Sequence, residues 1–190
     1  MRLDRLSEWL PARAPKFEGR DIRIIFRAGL RTAGRRLYSG TRSRSIYRGQ
    51  EVHAATFIRQ RLIVLDSELD ANRAELRRIL LHELFHFAWV RLGNAARHEY
   101  ETVIGDEMKA RARGELGWSS EMRKEDMRKK GLRRRSGRAW REYACESFCD
   151  SAAWLHSGIR RHEEFTLAMR FRKRRKAWFE AAFGGRAVRV

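Results

Sequence analysis

Apolar residues crowd the stretch from Leu76 to Leu92: Leu76, Ile79, Leu80, Leu81, Leu84, Phe85, Phe87, Ala88, Trp89, Val90 and Leu92 leave few polar positions between them. Projected at about 100° per residue they cover most of a helix surface, and a helix apolar on nearly every side is a buried central helix. Its ends are marked as well. Asn72-Arg73-Ala74-Glu75 reads as a capping box, no Gly or Pro interrupts residues 73–92, and Gly93-Asn94 supplies the stop. Upstream, the partial alternation of Asp21–Arg27 and the β-branched runs Val52–Ile58 and Leu62–Leu65 predict strands, with Leu37-Tyr38 as a short strand in a glycine-punctuated stretch. Leu3–Leu10 predicts a short amphipathic helix closed by Pro11 and Pro15.

Downstream the pattern is helical throughout. Helices are expected from about Ala96 to Arg113, after a cap at Ser119-Ser120-Glu121, from Arg138 to His156, and from His162 to Phe183. The expected fold is α+β and a single domain over 190 residues. Residues 1–70 would form a small, mainly antiparallel sheet packed on the central helix at 71–93. Residues 94–137 would form a basic helical insertion, and residues 138–190 two further helices. Nine basic residues between Arg123 and Arg138, interrupted by Gly131 and Gly137, suggest a mobile cationic segment able to cover a cleft.

The few polar residues on the central helix are informative. His82, Glu83 and His86 form the pattern H-E-x-x-H. Residues four apart share a helix face, so both imidazoles can point a ring nitrogen at one ion with a carboxylate alongside. The plain alternative is a pair of core histidines bonded to backbone. The complete triplet on a capped, buried helix favours a metal, because buried polar groups need partners and a divalent cation supplies one.

A third ligand is expected later in the chain. Glu142, Glu146 and Asp150 are spaced i, i+4, i+8 and make one carboxylate stripe. Glu146 is favoured because Asp150, one turn on, can hydrogen-bond a ligand histidine and fix its tautomer. His98 and Glu107 are the alternative third ligands, followed by Glu142 or a cysteine. Cys145 and Cys149 lie beside the stripe. A disulfide within one helix is geometrically poor, so reduced thiols packed as small hydrophobes are expected. Tyr143, Tyr100 and His156 are candidate donors to a developing oxyanion.

These residues resemble the gluzincin metallopeptidases, in which H-E-x-x-H is followed on a later helix by a glutamate ligand and often by an aspartate four residues on. The resemblance covers Leu62 to Leu155. It implies a zincin-like fold, one Zn2+ per chain held by His82, His86 and Glu146, Glu83 as the base that activates water, and Asp150 orienting a histidine. A peptide or protein substrate follows from the same resemblance. Glu107 stands at a spacing close to that of thermolysin-like gluzincins, although Arg111 occupies the place of the acid four residues later. His98, with Trp89 after the motif, is similar to the arrangement in SprT and Spartan-like proteases that act near DNA, without the glycine expected beside the third histidine. The metzincin pattern fails, because Leu92 stands at its third-histidine position.

Charge adds a second possibility. Lys and Arg total 43 against 24 Asp and Glu, a formal net charge of +19. Such a field attracts polyanions, and Arg123–Arg138 and Arg170–Lys176 are its densest segments. The alternatives to a peptidase are therefore a basic nucleic-acid-binding protein and an inactive zincin used as an interaction or sensor module. No signal-peptide pattern and no apolar run of membrane-spanning length is present, so a soluble, cytoplasmic protein is expected. The sequence leaves the oligomeric state open.

Overall fold

The computed structural model describes residues 6, 8–34, 36–40, 49–131 and 137–190. Its central sheet has three strands in the order β2 (Arg23–Arg27), β7 (Leu62–Asp66), β6 (Ala54–Phe57). β7 is the middle strand and its Ile63, Val64 and Leu65 are buried, which explains why it reads as a continuous apolar run rather than an alternating one. β6 runs antiparallel to β7, pairing Ala54 with Leu65 and Phe57 with Leu62. β2 runs parallel to it, pairing Arg23 with Leu62 and Arg27 with Asp66.

The expectation of a mainly antiparallel sheet therefore needs correction at its centre. The long excursion between β2 and β7 permits a parallel return, and alternation along one strand carries no information about the direction of its neighbour. A second sheet, β4 (Arg36–Tyr38), β3 (Arg31–Ala33), β5 (Gln50–Glu51), is antiparallel throughout. Asp66 ties the two together, accepting from the Leu30 amide at 2.8 Å through one oxygen and from the Glu68 amide at 3.0 Å through the other. A third pairing, β1 (Phe17–Glu18) with β8 (Val188–Arg189), is parallel and joins segments from opposite ends of the chain.

Five α-helices follow β7 among the described residues. α1 (Arg73–Arg91) begins where expected: the Asn72 side chain accepts from the Glu75 amide at 3.2 Å. The reciprocal arm of the capping box is not made, because the Glu75 carboxylate turns instead to Arg78. α4 (Arg138–His156) packs against α1, and Phe85, Phe148 and Phe179 meet at the centre of the core. α2 (Asn94–Lys109) and α5 (Met169–Phe183) close it from behind. The last helix starts later than its pattern predicts because the amides of Thr166 and Leu167 both donate to Glu115 O at 2.9 Å, which holds that segment extended.

Residues 94–131 are not an appended insertion. Tyr100 and Ile104 of α2 and Met127 of α3 (Trp118–Lys129) are buried in the main core. The amphipathic helix sees its apolar face buried regardless of how basic its outer face is. Arg123–Lys129 thus belongs to a helix packed on α4 rather than to a mobile segment. Residues 132–136 and half of the predicted Leu3–Leu10 helix (residues 3–5 and 7) lie outside the described residues, and Leu6 and Leu10 are buried in the core. No described helix is long and apolar enough to cross a membrane.

Candidate metal centre

His82 and His86 lie one turn apart on α1 and face α4, from which Glu146 projects back. The three side chains converge. His82 Nε2 is 3.2 Å from His86 Nε2 and 3.3 Å from Glu146 Oε2, and His86 Nε2 is 3.8 Å from the same oxygen. Zinc bonded to nitrogen and oxygen at about 2.1 Å in tetrahedral geometry sets its ligand atoms roughly 3.4 Å apart. The spacing of the triad fits that requirement and leaves a fourth position unassigned.

The chemistry of the donors makes the same point. Asp150 Oδ1 lies 2.7 Å from His82 Nδ1, so the ring donates its Nδ1 proton there and Nε2 is the nitrogen that faces the triad. Two imidazoles and a carboxylate then gather in a buried place that lacks a lysine or arginine ion pair among the described residues. Such a set demands a cation. Without a metal the demand falls on protons. Burial opposes the charged form of His86, but Cys145 and Glu146 outweigh it and raise its pKa to about 9. Burial also opposes the charged form of His82, and Asp150 and Glu146 outweigh it, raising its pKa well above the ordinary value. Burial likewise opposes ionisation of Glu146, yet the two histidines and Arg123 pull its pKa down to about 2.

A cleft opens over this group. One cavity of about 330 Å3 is lined by His53 and Ala54 on one side, Trp118 and Ser119 on the other, and His82 and Glu83 at its base. An adjoining cavity of about 260 Å3 shares Trp118 and Ser119 and reaches Glu146. Ala54 begins β6, an edge strand of the central sheet. β6 is tied to α1 where Thr56 Oγ1 approaches Glu83 O at 3.4 Å. The opposite wall is the N-terminus of α3. It is fixed by Ser120, whose amide donates to Asp150 Oδ2 at 2.9 Å, and by Trp118, whose amide donates to Glu164 at 2.8 Å.

Other residues singled out in the sequence are placed elsewhere. His98 is 87% exposed beside Glu101 and does not reach the triad. Glu107 is fully buried against Arg175, and Glu142 pairs with Arg138 and Arg123. The three proposed oxyanion donors also need correction. The Tyr143 hydroxyl donates to Glu115 at 2.6 Å, and that of Tyr100 sits between Ser147 and Ser151 at 3.1 and 3.0 Å. His156 stacks on Phe85, where burial lowers its pKa to about 4. The two tyrosine hydroxyls are thus satisfied inside the core, and His156 is half-buried against Phe85.

Some residues near the centre were not singled out as such. Trp118 and Ser119 supply a cleft wall, and their only signal was the pair of glycines, Gly114 and Gly117, that ends one helical stretch before another begins. Cys145 and Cys149 are more than filler. Both sulfurs lie 3.4 Å from His86 Nδ1, on the side of the ring away from the triad. In a third group with metal-like spacing, Glu75, His162 and Glu164, both carboxylates already pair with the Arg78 guanidinium and His162 lies against Glu75. Compared with known proteins, the chain matches no family model, no curated protein and no solved structure.

Proposed function

We propose that this protein is a zinc-dependent peptidase that hydrolyses peptide bonds in the cleft between β6 and α3. The observation that carries the reading is the convergence of His82 Nε2, His86 Nε2 and Glu146 Oε2 within 3.2–3.8 Å of one another, with Glu83 at the base of the same cleft. The donor set of two imidazoles and one carboxylate suits Zn2+ and matches the ligand number of catalytic rather than structural sites. Zinc bound there supplies Lewis acidity and an acidified water.

The chain's own residues supply the rest. Glu83 takes a proton from water and returns it to the leaving amine, a role that suits a carboxylate beside the ligand histidines but not among the converging atoms. Asp150 holds the His82 ring in one tautomer and one orientation. The open edge of β6 offers main-chain hydrogen bonds to an extended polypeptide, and the indole of Trp118, 47% exposed, offers an apolar surface across the cleft.

The test is metal content together with hydrolysis of a denatured protein substrate. Wild type should carry one zinc per chain, Glu146→Ala should lose it, and Glu83→Gln should retain it while hydrolysis falls to background. A wild type that binds no zinc even with metal added, or a Glu83→Gln variant with undiminished turnover, would overturn the reading.

A further inference from the structure

The side of His86 turned away from the triad carries its own donor set. Cys145 and Cys149 are four residues apart on α4, so their side chains leave the helix in the same direction. Both sulfurs reach His86 Nδ1 at 3.4 Å, and the three donor atoms lie within 4.8 Å of one another. The ring nitrogen and the two sulfurs therefore gather around one point.

We propose that His86, Cys145 and Cys149 form a second metal position, for a soft, thiolate-seeking cation. Metal–sulfur bonds of about 2.3 Å and a metal–nitrogen bond of about 2.1 Å set nitrogen and sulfur roughly 3.6 Å apart, close to the spacing in place. The donors are two sulfurs and an imidazole, with no oxygen among them. That composition selects cations of the Cu+ and Cd2+ kind over Mg2+ or Ca2+. Binding displaces the proton on His86 Nδ1 and the thiol protons to solvent, leaving a ring-nitrogen lone pair and two thiolates as the donors. Cys149 is fully buried and Cys145 partly exposed, so an ion would enter past Cys145.

The chain has only two cysteines, so any sulfur-to-metal charge-transfer absorption reports on this position alone. The experiment is a titration of the reduced, metal-free full chain with Cd2+, following the ultraviolet sulfur-to-cadmium band. The band is expected to rise and saturate in the wild type and in Glu146→Ala, to form at least about tenfold more weakly in His86→Ala, and to be absent from the Cys145→Ser/Cys149→Ser double variant. A wild type without a saturating band would overturn the proposal, and so would a band equally tight in His86→Ala. A band lost in Glu146→Ala would also overturn it, because the cation would then sit at the triad and borrow a thiol. Zinc content, read separately on the same proteins, keeps a failure here distinct from a failure of the peptidase reading.

Discussion

Two buried ionic clusters flank α4, and they are closed in different ways. Behind the helix, Arg175 is fully buried and pairs with Glu107 at 2.6 Å and Glu115 at 2.8 Å. Lys124 adds a second cation on Glu115 at 2.9 Å. Tyr143 and Ser151 supply further hydrogen bonds, so two positive side chains answer two negative ones. In front of the helix, Glu146 and Asp150 have the imidazoles of His82 and His86 as their ion-pair partners among the described residues, and the Ser120 amide donates to Asp150 as well. Buried charge must be neutralised in either case. The first cluster does so with the chain's own cations and is a structural joint. The second leaves that role to a proton or a metal, and it alone opens onto a cleft.

That difference can be broken most severely at the joint. Arg175→Met leaves Glu107 and Glu115 buried without their principal cation and should destabilise the protein by about 3–5 kcal/mol, measured by urea unfolding. The zinc stoichiometry of the folded fraction should be unaffected. A loss below about 1 kcal/mol would show that the cluster rearranges and is not the closed unit described.

A smaller effect is expected at the support of the open cluster. Asp150→Asn keeps the shape but removes the charge that orients His82, and zinc affinity measured by competition with a chromogenic chelator should fall about 10–100-fold. Unchanged affinity would show that His82 is held by α1 alone.

The smallest effect concerns pH and arises in the open cluster, whose histidine and glutamate act at opposite ends of the pH range. In the metal-free protein the pKa of His86 is raised from 6.5 to about 9, so its contribution to stability is complete below pH 6.5 and is lost as pH rises through 9. The pKa of Glu146 is lowered from 4.5 to about 2, so its contribution is complete above pH 4.5 and is lost as pH falls toward 2. Metal-free protein should therefore be most stable between these limits and weaken by on the order of 1 kcal/mol toward pH 9. Bound zinc replaces the proton and should abolish the alkaline loss, as read by thermal unfolding with and without chelator. An alkaline loss that persists with zinc bound would place its origin outside the triad.

Much of the open cluster was legible in the sequence because it is local. Asn72, the unbroken apolar run and Gly93 bound α1 to within a residue, and the four-residue spacings of His82/His86 and Glu146/Asp150 fix which side chains share a face. The closed cluster was not legible, since it joins α2, α3, α4 and α5 across long sequence separations. Arg175 lay hidden in a basic run, and its one signal was its place on the stripe Phe171, Arg175, Trp178, Phe179, where an apolar residue belongs. The parallel return of β2 beside β7 was hidden for a similar reason: strand direction is decided by what the intervening chain can reach. The sulfurs of Cys145 and Cys149 read as small hydrophobes until α1 was set against α4, because only that packing supplies the His86 ring they face.

Gly117 lies so close to Asp150 that a Cβ added there would fall 2.2 Å from its carboxylate, and the Ser120 amide bonds the same group. One oxygen of Asp150 therefore serves the wall of the cleft while the other serves His82, a ligand under the proposed function. Linkage makes such sharing reciprocal: if an occupant of the cleft tightens or loosens the hold of α3 on Asp150, it changes zinc affinity by a factor that zinc must return in the affinity for that occupant. Substrate affinity and metal retention are then two readings of a single coupling free energy, and neither can be tuned at this carboxylate without moving the other.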